Sequence, residues 1–567
     1  MSEHQVEQLG TKDGNETLKI DNYFVHSRYN PLKEAQNYID KHYTFQHTHI
    51  LFGYGAGHIH EVFKKKRKAN ELIITIDPLV DTSQLTIQKR HQQDYIFGAS
   101  VIDKLEFLLA QIDNETRTTF TILCTSNYDK IFQHEYKNLL QKVKDIQEAN
   151  RVNDYTIIRY ADKWQENLEL NLVNSTRDSS LQEIYQQYDL PVVIASSGPS
   201  LTKQLSLLKE IRQHVILMSS GSTTNVLLAN GLTPDFVVSM DGGEPNYKHF
   251  KDLTFEESTL VYTYQNHPGV REAFKQNCFI CNNQGFSSVD EYIAKHIPTK
   301  IPVLLGGSTV ANLAFSIAQY ISSGPIAFIG QDLAYTGNAT HVSGHNHAKG
   351  ISKEFLEQRE AFETIGYYGE KVWTSPPMHS MKLEFEKMIV LQPPTNQFYN
   401  CTEGGAAIKG YEQLPFKQFC DVYIDKSKLF EKEKKSFEPC IQKRELQQLF
   451  EQELSKLTQC ITLYEEGIYI VENNKSDERF TMKSLQKLED IDKQAKILLN
   501  DMLVEIILAP MVMNVIKGFL PKEDETVRQS YKRVKEQNLA LYQESIKALE
   551  KTKMYVENAM KKLEEVL

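Results

Sequence analysis

Small polar residues that follow a short apolar run in the middle of the chain have the clearest chemical potential. Val192, Val193 and Ile194 form a run that is typical of a buried parallel strand, and a tight turn of Ser, Gly and Pro follows at residues 196–200. Leucines at helical spacing begin at Leu201. A strand, a small-residue turn and a helix N-terminus form an anion-binding geometry. The Lys-Ser/Thr pair of a P-loop does not follow the glycine, so the sequence predicts a different kind of turn.

Further strand ends in this region carry residues of the same kind. One predicted strand ends in Ser219 and Ser220, the next ends in Asp241, and a later one ends in Gln331 and Asp332. An apolar helix begins after Gly307, Ser308 and Thr309. Because ligands of parallel α/β sheets bind at the carboxyl ends of the strands, we expect these residues to line one crevice with the first turn.

The elements that position these residues indicate an α/β protein with three domains. Residues 179–428 alternate strands and helices and form the predicted central domain. Residues 1–178 contain a strand, Gly53, Gly55 and Gly57, a helix, and a strand that ends in Asp77. This pattern indicates a Rossmann-like domain, which either binds a nucleotide or is a scaffold without a ligand. Residues 429–567 predict a helical bundle that stabilises or dimerises the protein, or binds a protein partner.

Composition narrows the class of protein. The chain has 567 residues and a net charge of −10, which argues against a nucleic-acid partner. It has no apolar run of the roughly 18 residues that span a bilayer, so no membrane span is predicted. Seven cysteines spread along the chain favour free thiols in a reducing compartment. We therefore expect a cytoplasmic protein.

The stretch GNATHVSGHNHAKG follows Tyr335 and is rich in Gly, Asn and His. Such a composition predicts a mobile lid beside a site. His341 and His345 in this stretch are candidates for a base, and they are weaker candidates for metal ligands because no carboxylate lies at ligand spacing.

A series of motifs resembles the motility-associated factor (Maf) glycosyltransferases of bacteria. In order along the chain, these motifs are IASSGPSL, the strand ending in MDGG, GGSTVANLAFSIA, FIGQDLAYTGNATHVSG and NCTEGGAAIKG. The resemblance covers about residues 185–425, and the flanking regions match the layout of the family loosely. It implies a central domain similar to bacterial sialyltransferases, a variant of the GT-A fold. It also implies transfer of a nonulosonic acid (pseudaminic, legionaminic or sialic-acid type) from a CMP-activated donor to Ser or Thr of flagellin, without a metal or another cofactor.

The resemblance assigns roles to residues of this chain. The residues implied in donor binding are Ser197, Gly198, Pro199, Ser200, Ser219, Ser220, Asp241, Gly307, Ser308, Thr309, Gln331 and Thr336. Tyr335 is expected to donate a hydrogen bond to the leaving phosphate. The catalytic histidine of the sialyltransferases has no counterpart, because the matching segment YYGEKVWTSPPM holds Glu370 and Lys371. The base therefore stays open among Asp332, Glu370, His341 and His345.

Two other functions compete with this interpretation. The SGPSL and GQDLAY segments also resemble an archaeal-type hydroxymethylpterin diphosphokinase, which uses ATP and a divalent metal but is a short single-domain protein. A flagellin-binding assembly factor without catalysis is the third hypothesis, in which the helical domain binds the partner. The sequence leaves homo-oligomerisation open.

Overall fold

The computed structural model describes residues 4–68, 71–80, 94–105, 108–109, 119–284, 287–307, 309–337, 339, 351–391, 394–432, 436–476, 478–500 and 502–566. The chain divides into two compact units, Met1–Arg159 with Lys522–Asp524, and Tyr160–Pro521 with Glu525–Leu567. The predicted central and helical domains lie together in the second unit. Their apolar side chains share a core.

The described part of the first unit contains two sheets. An antiparallel sheet has the order β1-β2-β3, and a parallel sheet has the order β6-β5-β4-β7. The strands are β1 (Val6–Gly10), β2 (Glu16–Ile20), β3 (Tyr23–Phe24), β4 (Thr48–Phe52), β5 (Ile73–Ile76), β6 (Asp94–Phe97) and β7 (Phe120–Cys124). The helices are α1 (Pro31–His42), α2 (His58–Lys66), α3 (Tyr128–Ile131) and α4 (Gln133–Asn174), of which α4 ends in the second unit. All five residues of β4 are buried, as expected of a parallel strand that is covered on both faces.

The second unit is built on a nine-stranded sheet with the order β20-β19-β16-β9-β10-β11-β12-β13-β8. Every pair of neighbouring strands in it is parallel. Its strands are β8 (Ser179–Ser180), β9 (Val192–Ala195), β10 (Ile216–Ser220), β11 (Phe236–Ser239), β12 (Thr259–Tyr262), β13 (Phe279–Ile280), β16 (Ile326–Ile329), β19 (Phe398–Asn400) and β20 (Glu412–Gln413). Among the described residues of this unit, two strand pairs lie outside the sheet: β14 (Asn282–Asn283) with β15 (Val303–Leu304), and the antiparallel hairpin of β17 (Phe362–Ile365) and β18 (Lys371–Thr374).

Helices cover both faces of this sheet because successive side chains of a buried strand point in opposite directions. Val193 of β9 shares a core with Leu205 and Phe419, whereas Ile194 shares a different core with Leu313 and Phe385. The helices of this region are α5 (Leu201–Ile211), α6 (Gly221–Ala229), α7 (Glu244–Tyr247), α8 (Ser287–His296), α9 (Val310–Ile321), α10 (Lys353–Gln358), α11 (Pro376–Leu391) and α12 (Phe416–Tyr423). The predicted α/β architecture of the central region is confirmed.

The C-terminal region is helical, as predicted. It consists of α13 (Lys443–Glu472), α14 (Met482–Leu499), α15 (Glu505–Gly518) and α16 (Val527–Glu565). Leu260 and Tyr262 of β12 share a core with Leu446 and Phe450 of α13 and with Leu549 of α16. Within the ranges that the structure describes, no helix is long and apolar enough to cross a membrane.

Two buried glutamates lie within the second unit, Glu169 on α4 and Glu453 on α13. Glu169 is 0% exposed and Glu453 is 3% exposed. Both carboxyl oxygens of Glu169 and Oε1 of Glu453 lack a hydrogen-bond partner among the described residues. Burial raises the pKa of Glu453 to about 7, and burial together with the charge of Glu453 raises the pKa of Glu169 well above its ordinary value. The fold is therefore most stable when both carboxyl groups are protonated.

This pair predicts a stability that falls with rising pH. A folded-state pKa above the unfolded value gives stability that is complete below about pH 4 and is lost as the pH rises through the folded pKa. We expect the free energy of urea unfolding to fall between pH 5 and 8. The variant Glu453→Gln should reduce this fall by the contribution of Glu453, about 2–3 kcal/mol, whereas burial of Glu169 keeps the remaining part. The exposed neighbour Glu451 provides the control Glu451→Gln, which should keep the slope. A Glu453→Gln variant with the same slope as the unmodified protein would contradict the assignment.

Candidate functional site

The order of the strands creates a crevice between β9 and β16. From β9 the chain adds β10, β11, β12 and β13 on one side, and it then returns to place β16 on the other side. Ala195 at the end of β9 pairs with Ile329 at the end of β16. The connections after these two strands leave in opposite directions, which is the position where open α/β sheets bind ligands.

Asp332 occupies this crevice and joins its two sides. The Ser200 hydroxyl donates to Oδ2 of Asp332 at 2.7 Å, and the Ser200 backbone N–H is 3.3 Å from the same oxygen. The N–H of Gly198 donates to the carbonyl of Gly330 at 2.9 Å. A Cβ on Gly198 would lie 2.0 Å from Oδ2 of Asp332, so only glycine allows this approach. The turn after β9 is therefore shaped around the Asp332 carboxyl group.

The turn of residues 402–405, which follows β19, forms a third wall of the crevice. The Thr402 hydroxyl accepts from the N–H of Gln331 at 3.2 Å, and the N–H of Ala406 donates to the carbonyl of Asp332 at 2.7 Å. Leu333 and Glu403 have φ values of +50° and +55°, in the left-handed region that non-glycine residues rarely adopt. Left-handed non-glycine residues store strain and cluster at functional sites. The sequence showed a Gly-rich turn here, but nothing local linked it to Asp332.

Two buried polar atoms of the crevice lack a hydrogen-bond partner among the described residues. Asp332 is 3% exposed, and its Oδ1 has no hydrogen-bond partner in the described part of the chain. The buried hydroxyl of Thr336 lies close enough to Asp332 to lower the pKa of its carboxyl group, but no hydrogen bond of standard geometry joins the two. Burial raises the pKa of Asp332, and the hydroxyls of Thr336 and Ser200 and the charge of Lys203 oppose this shift. An uncompensated buried polar group costs about 1–3 kcal/mol, so the pair is suited to a ligand that supplies the missing bonds.

Other predicted residues lie at the rim of the crevice. Oε1 of Gln331 accepts from the Ser196 hydroxyl at 2.5 Å, and the Ser197 hydroxyl is 3.5 Å from that of Ser222. Pro199 is half-buried in the same turn. The backbone N–H of Tyr335 donates to the Trp373 carbonyl at 2.8 Å. The turns that surround Asp332 therefore contain four of the predicted residues, Gln331, Ser197, Pro199 and Tyr335.

The remaining donor-site candidates are engaged by residues of their own turns. The buried Ser219 hydroxyl is 2.8 Å from that of Thr224, and Ser220 is the N-cap residue of α6. The exposed Asp241 carboxylate accepts from the N–H of Gly243 at 2.8 Å. Thr309 caps α9 by accepting from the Asn312 N–H at 3.2 Å, and Gly307 precedes it with a φ of +53°. These bonds give each of the three strand or helix ends a local partner.

The candidates for the base differ in how the structure places them. The exposed Glu370 lies in the β17–β18 turn and accepts from the N–H of Tyr368 at 2.8 Å. Ser308, His341 and His345 lie outside the described residues. Within the described ranges, no group of three or more His, Cys, Asp or Glu residues is arranged to hold a metal. Asp332 is the candidate that the structure places in the crevice.

The glycine-rich loop of the first unit is bonded to its own side chains. Asp77 Oδ2 accepts from the N–H of Tyr54 at 2.8 Å, and His26 Nε2 accepts from the N–H of Ala56 at 2.9 Å. The hydroxyl of Tyr128 is 3.3 Å from the N–H of Gly55. These are the donors that would bind a phosphate in a nucleotide-binding loop. The bonds favour the interpretation of this unit as a scaffold.

Two comparisons with known proteins connect this fold and site to described families. A family model described as 6-hydroxymethylpterin diphosphokinase MptE-like matches residues 163–338, which include the turns after β9 and β16. The structure of a Maf glycosyltransferase from Magnetospirillum magneticum AMB-1 is similar over 99% of this chain and 93% of that chain, with a TM-score of 0.57 and 15% identity. No curated protein matches the chain. The resemblance to the Maf glycosyltransferases is confirmed as a likeness of fold.

The tight packing of the third wall predicts that one added methyl group strongly lowers the stability of the protein. Gly405 has a φ of +73°, and a Cβ there would lie 2.0 Å from the Asp332 carbonyl oxygen. Gly231 has a φ of +72° and open space around its Cβ position. We expect Gly231→Ala to cost about 1–2 kcal/mol through backbone strain alone. Gly405→Ala should cost clearly more, because the third wall must also move away from Asp332. Urea unfolding measures both changes, and equal costs would contradict the tight packing of this turn.

Proposed function

We propose that the chain is a glycosyltransferase that moves a nonulosonic acid from a CMP-activated donor to Ser or Thr of flagellin. The observation that carries this proposal is the buried Asp332 carboxyl group, with an open oxygen, in the crevice between β9 and β16. The fold similarity to a protein described as a Maf glycosyltransferase supports the class of reaction. The pseudaminic, legionaminic and sialic-acid types of donor all fit this proposal.

The donor is proposed to lie in the crevice with its phosphate toward the N-terminus of α5. The partial positive charge of a helix N-terminus favours a phosphate, and one phosphodiester requires no divalent metal. Gly198, Ser200 and Gln331 form the adjacent walls of the site, and Thr336 supplies an open hydroxyl. Further donor contacts are proposed at Ser197, Pro199, Ser219, Ser220, Asp241, Gly307, Ser308 and Thr309.

Asp332 is the proposed base of the transfer. The acceptor hydroxyl oxygen forms a bond to the anomeric carbon, the bond from that carbon to the phosphate oxygen breaks, and the electron pair leaves with CMP. The hydroxyl proton passes to Asp332, whose raised pKa brings it closer to neutral pH and makes it a stronger base. Tyr335 is proposed to donate a hydrogen bond to the departing phosphate. Glu370, His341 and His345 are the alternative bases.

A second candidate function has one specific observation in its favour. The MptE-like family model matches residues 163–338, which contain Asp332 and Thr336. A pterin diphosphokinase would bind ATP with a divalent metal rather than CMP. A flagellin-binding assembly factor without catalysis would bind neither nucleotide and would still bind flagellin. The cytoplasm is the proposed compartment for all three functions.

The proposed reaction predicts separate effects on binding and transfer. Asp332→Asn keeps the shape of the side chain but cannot accept the proton, so we expect calorimetric CMP affinity to change by less than about tenfold. Transfer to purified flagellin, followed by intact mass, should fall by about 100-fold or more. The exposed Asp421 on α12 gives the control Asp421→Asn, which should transfer normally.

Three outcomes would contradict the proposal in different ways. Full transfer by Asp332→Asn would remove Asp332 as the base. Binding of ATP with magnesium in preference to CMP would favour the kinase. Flagellin binding without binding of either nucleotide would favour the assembly factor.

A further inference from the structure

We infer that Lys203 binds the phosphate group of the donor, an inference that rests on the proposed function. Lys203 is the third residue of α5 and is exposed. Its Nζ donates to the carbonyl oxygen of Glu403 at 2.8 Å. The side chain therefore reaches from the start of α5 to the third wall of the crevice.

The position of this cation is unfavourable for the helix itself. The N-terminus of a helix carries about half a positive charge, so a lysine in the first turn is repelled. The first turn of α5 contains no acidic residue, and the carboxylate at this helix end, Asp332, is bonded to the N-cap residue Ser200. The hydrogen-bonded partner of the Lys203 Nζ is a neutral carbonyl oxygen. An exposed ammonium group that is held by a neutral carbonyl oxygen rather than by a carboxylate is suited to bind an anion.

The open polar atoms of the crevice lie beside the same turn. A Cβ on Gly404 would lie 3.0 Å from the Thr336 methyl carbon and 3.5 Å from Oδ1 of Asp332. Gly404 follows Glu403, the residue that holds the ammonium group. Oδ1 of Asp332 and the Thr336 hydroxyl lack partners among the described residues, although Asp332 is 97% buried. The ammonium group of Lys203 and the two unpartnered groups therefore lie against the same turn of residues 402–405.

The charge of Lys203 also reaches Asp332. It is one of the influences that lower the pKa of Asp332 against the effect of burial. Without a nearby cation, a donor phosphate and the Asp332 carboxylate would repel one another. Lys203 therefore allows an anionic donor and an anionic base to occupy the same crevice.

The test compares a ligand that carries the phosphate with one that lacks it. Calorimetry with CMP and with cytidine gives the contribution of the phosphate as the ratio of the two affinities. We expect the protein to bind CMP at least about tenfold more tightly than cytidine, and Lys203→Met to lose about tenfold of this ratio with unchanged cytidine affinity. Lys209→Met, at an exposed lysine in the last turn of the same helix, should keep the full ratio.

A second variant separates charge from support of the turn. Lys203→Gln removes the charge and keeps an N–H donor for the Glu403 carbonyl. We expect it to lose the phosphate preference as Lys203→Met does, with a melting temperature close to that of the unmodified protein.

The outcomes separate this inference from the proposed function. A protein that prefers CMP, in which Lys203→Gln keeps the full preference, overturns the role of Lys203 and leaves the donor assignment intact. A protein that binds CMP no more tightly than cytidine, or binds neither, overturns the proposed donor and the role of Lys203 together.

Discussion

The hydrogen bonds between Ser200 and Asp332 join two strand ends that lie 132 residues apart in the chain. The Asp332 carboxyl group holds the turn after β9, and its carbonyl oxygen accepts from the N–H of Ala406 at the end of the third wall. One residue therefore fixes three chain segments through its side chain and its backbone. This arrangement requires glycine at positions 198 and 405, because a side chain at either position would overlap Asp332.

This interaction depends on the order of strands in the sheet. Because β16 inserts beside β9 rather than at an edge, the carboxyl ends of two central strands meet with their connections on opposite faces. Strand β9 is packed on both faces, since the side chains of Val193 and Ile194 enter separate cores on the two sides of the sheet. Such a strand has little freedom to shift, which keeps the turns at its end in a fixed relation.

The sequence was sufficient to predict several strands and turns of the sheets, because apolar runs and small-residue turns are local patterns. It predicted a strand at residues 155–160, which lie instead within the long helix α4. It was not sufficient to predict which strands are neighbours, since packing over long distances sets that order. The third wall at residues 402–405 was therefore not linked to Asp332, although its glycines were visible. In the first unit, the pattern of glycines predicted the strand, turn and helix correctly. The bonds of His26 and Tyr128 to that loop come from distant parts of the chain and have no local signal.

The sequence predicts the same anion-binding chemistry for three small-residue turns, but the polar groups of these turns differ in whether their hydrogen bonds are satisfied. In the first unit, His26, Tyr128 and Asp77 occupy the donors of the loop, and at the start of α6 the hydroxyls of Ser219 and Thr224 bond to each other. At the start of α5 the N–H groups of Gly198 and Ser200 are bonded as well, but Asp332 itself keeps an unpartnered oxygen and lies beside left-handed residues. A turn that only connects two strands gains nothing from such costs, whereas a ligand that completes the missing bonds offsets them. The unsatisfied groups, rather than the turn itself, therefore distinguish the start of α5 from the other two turns.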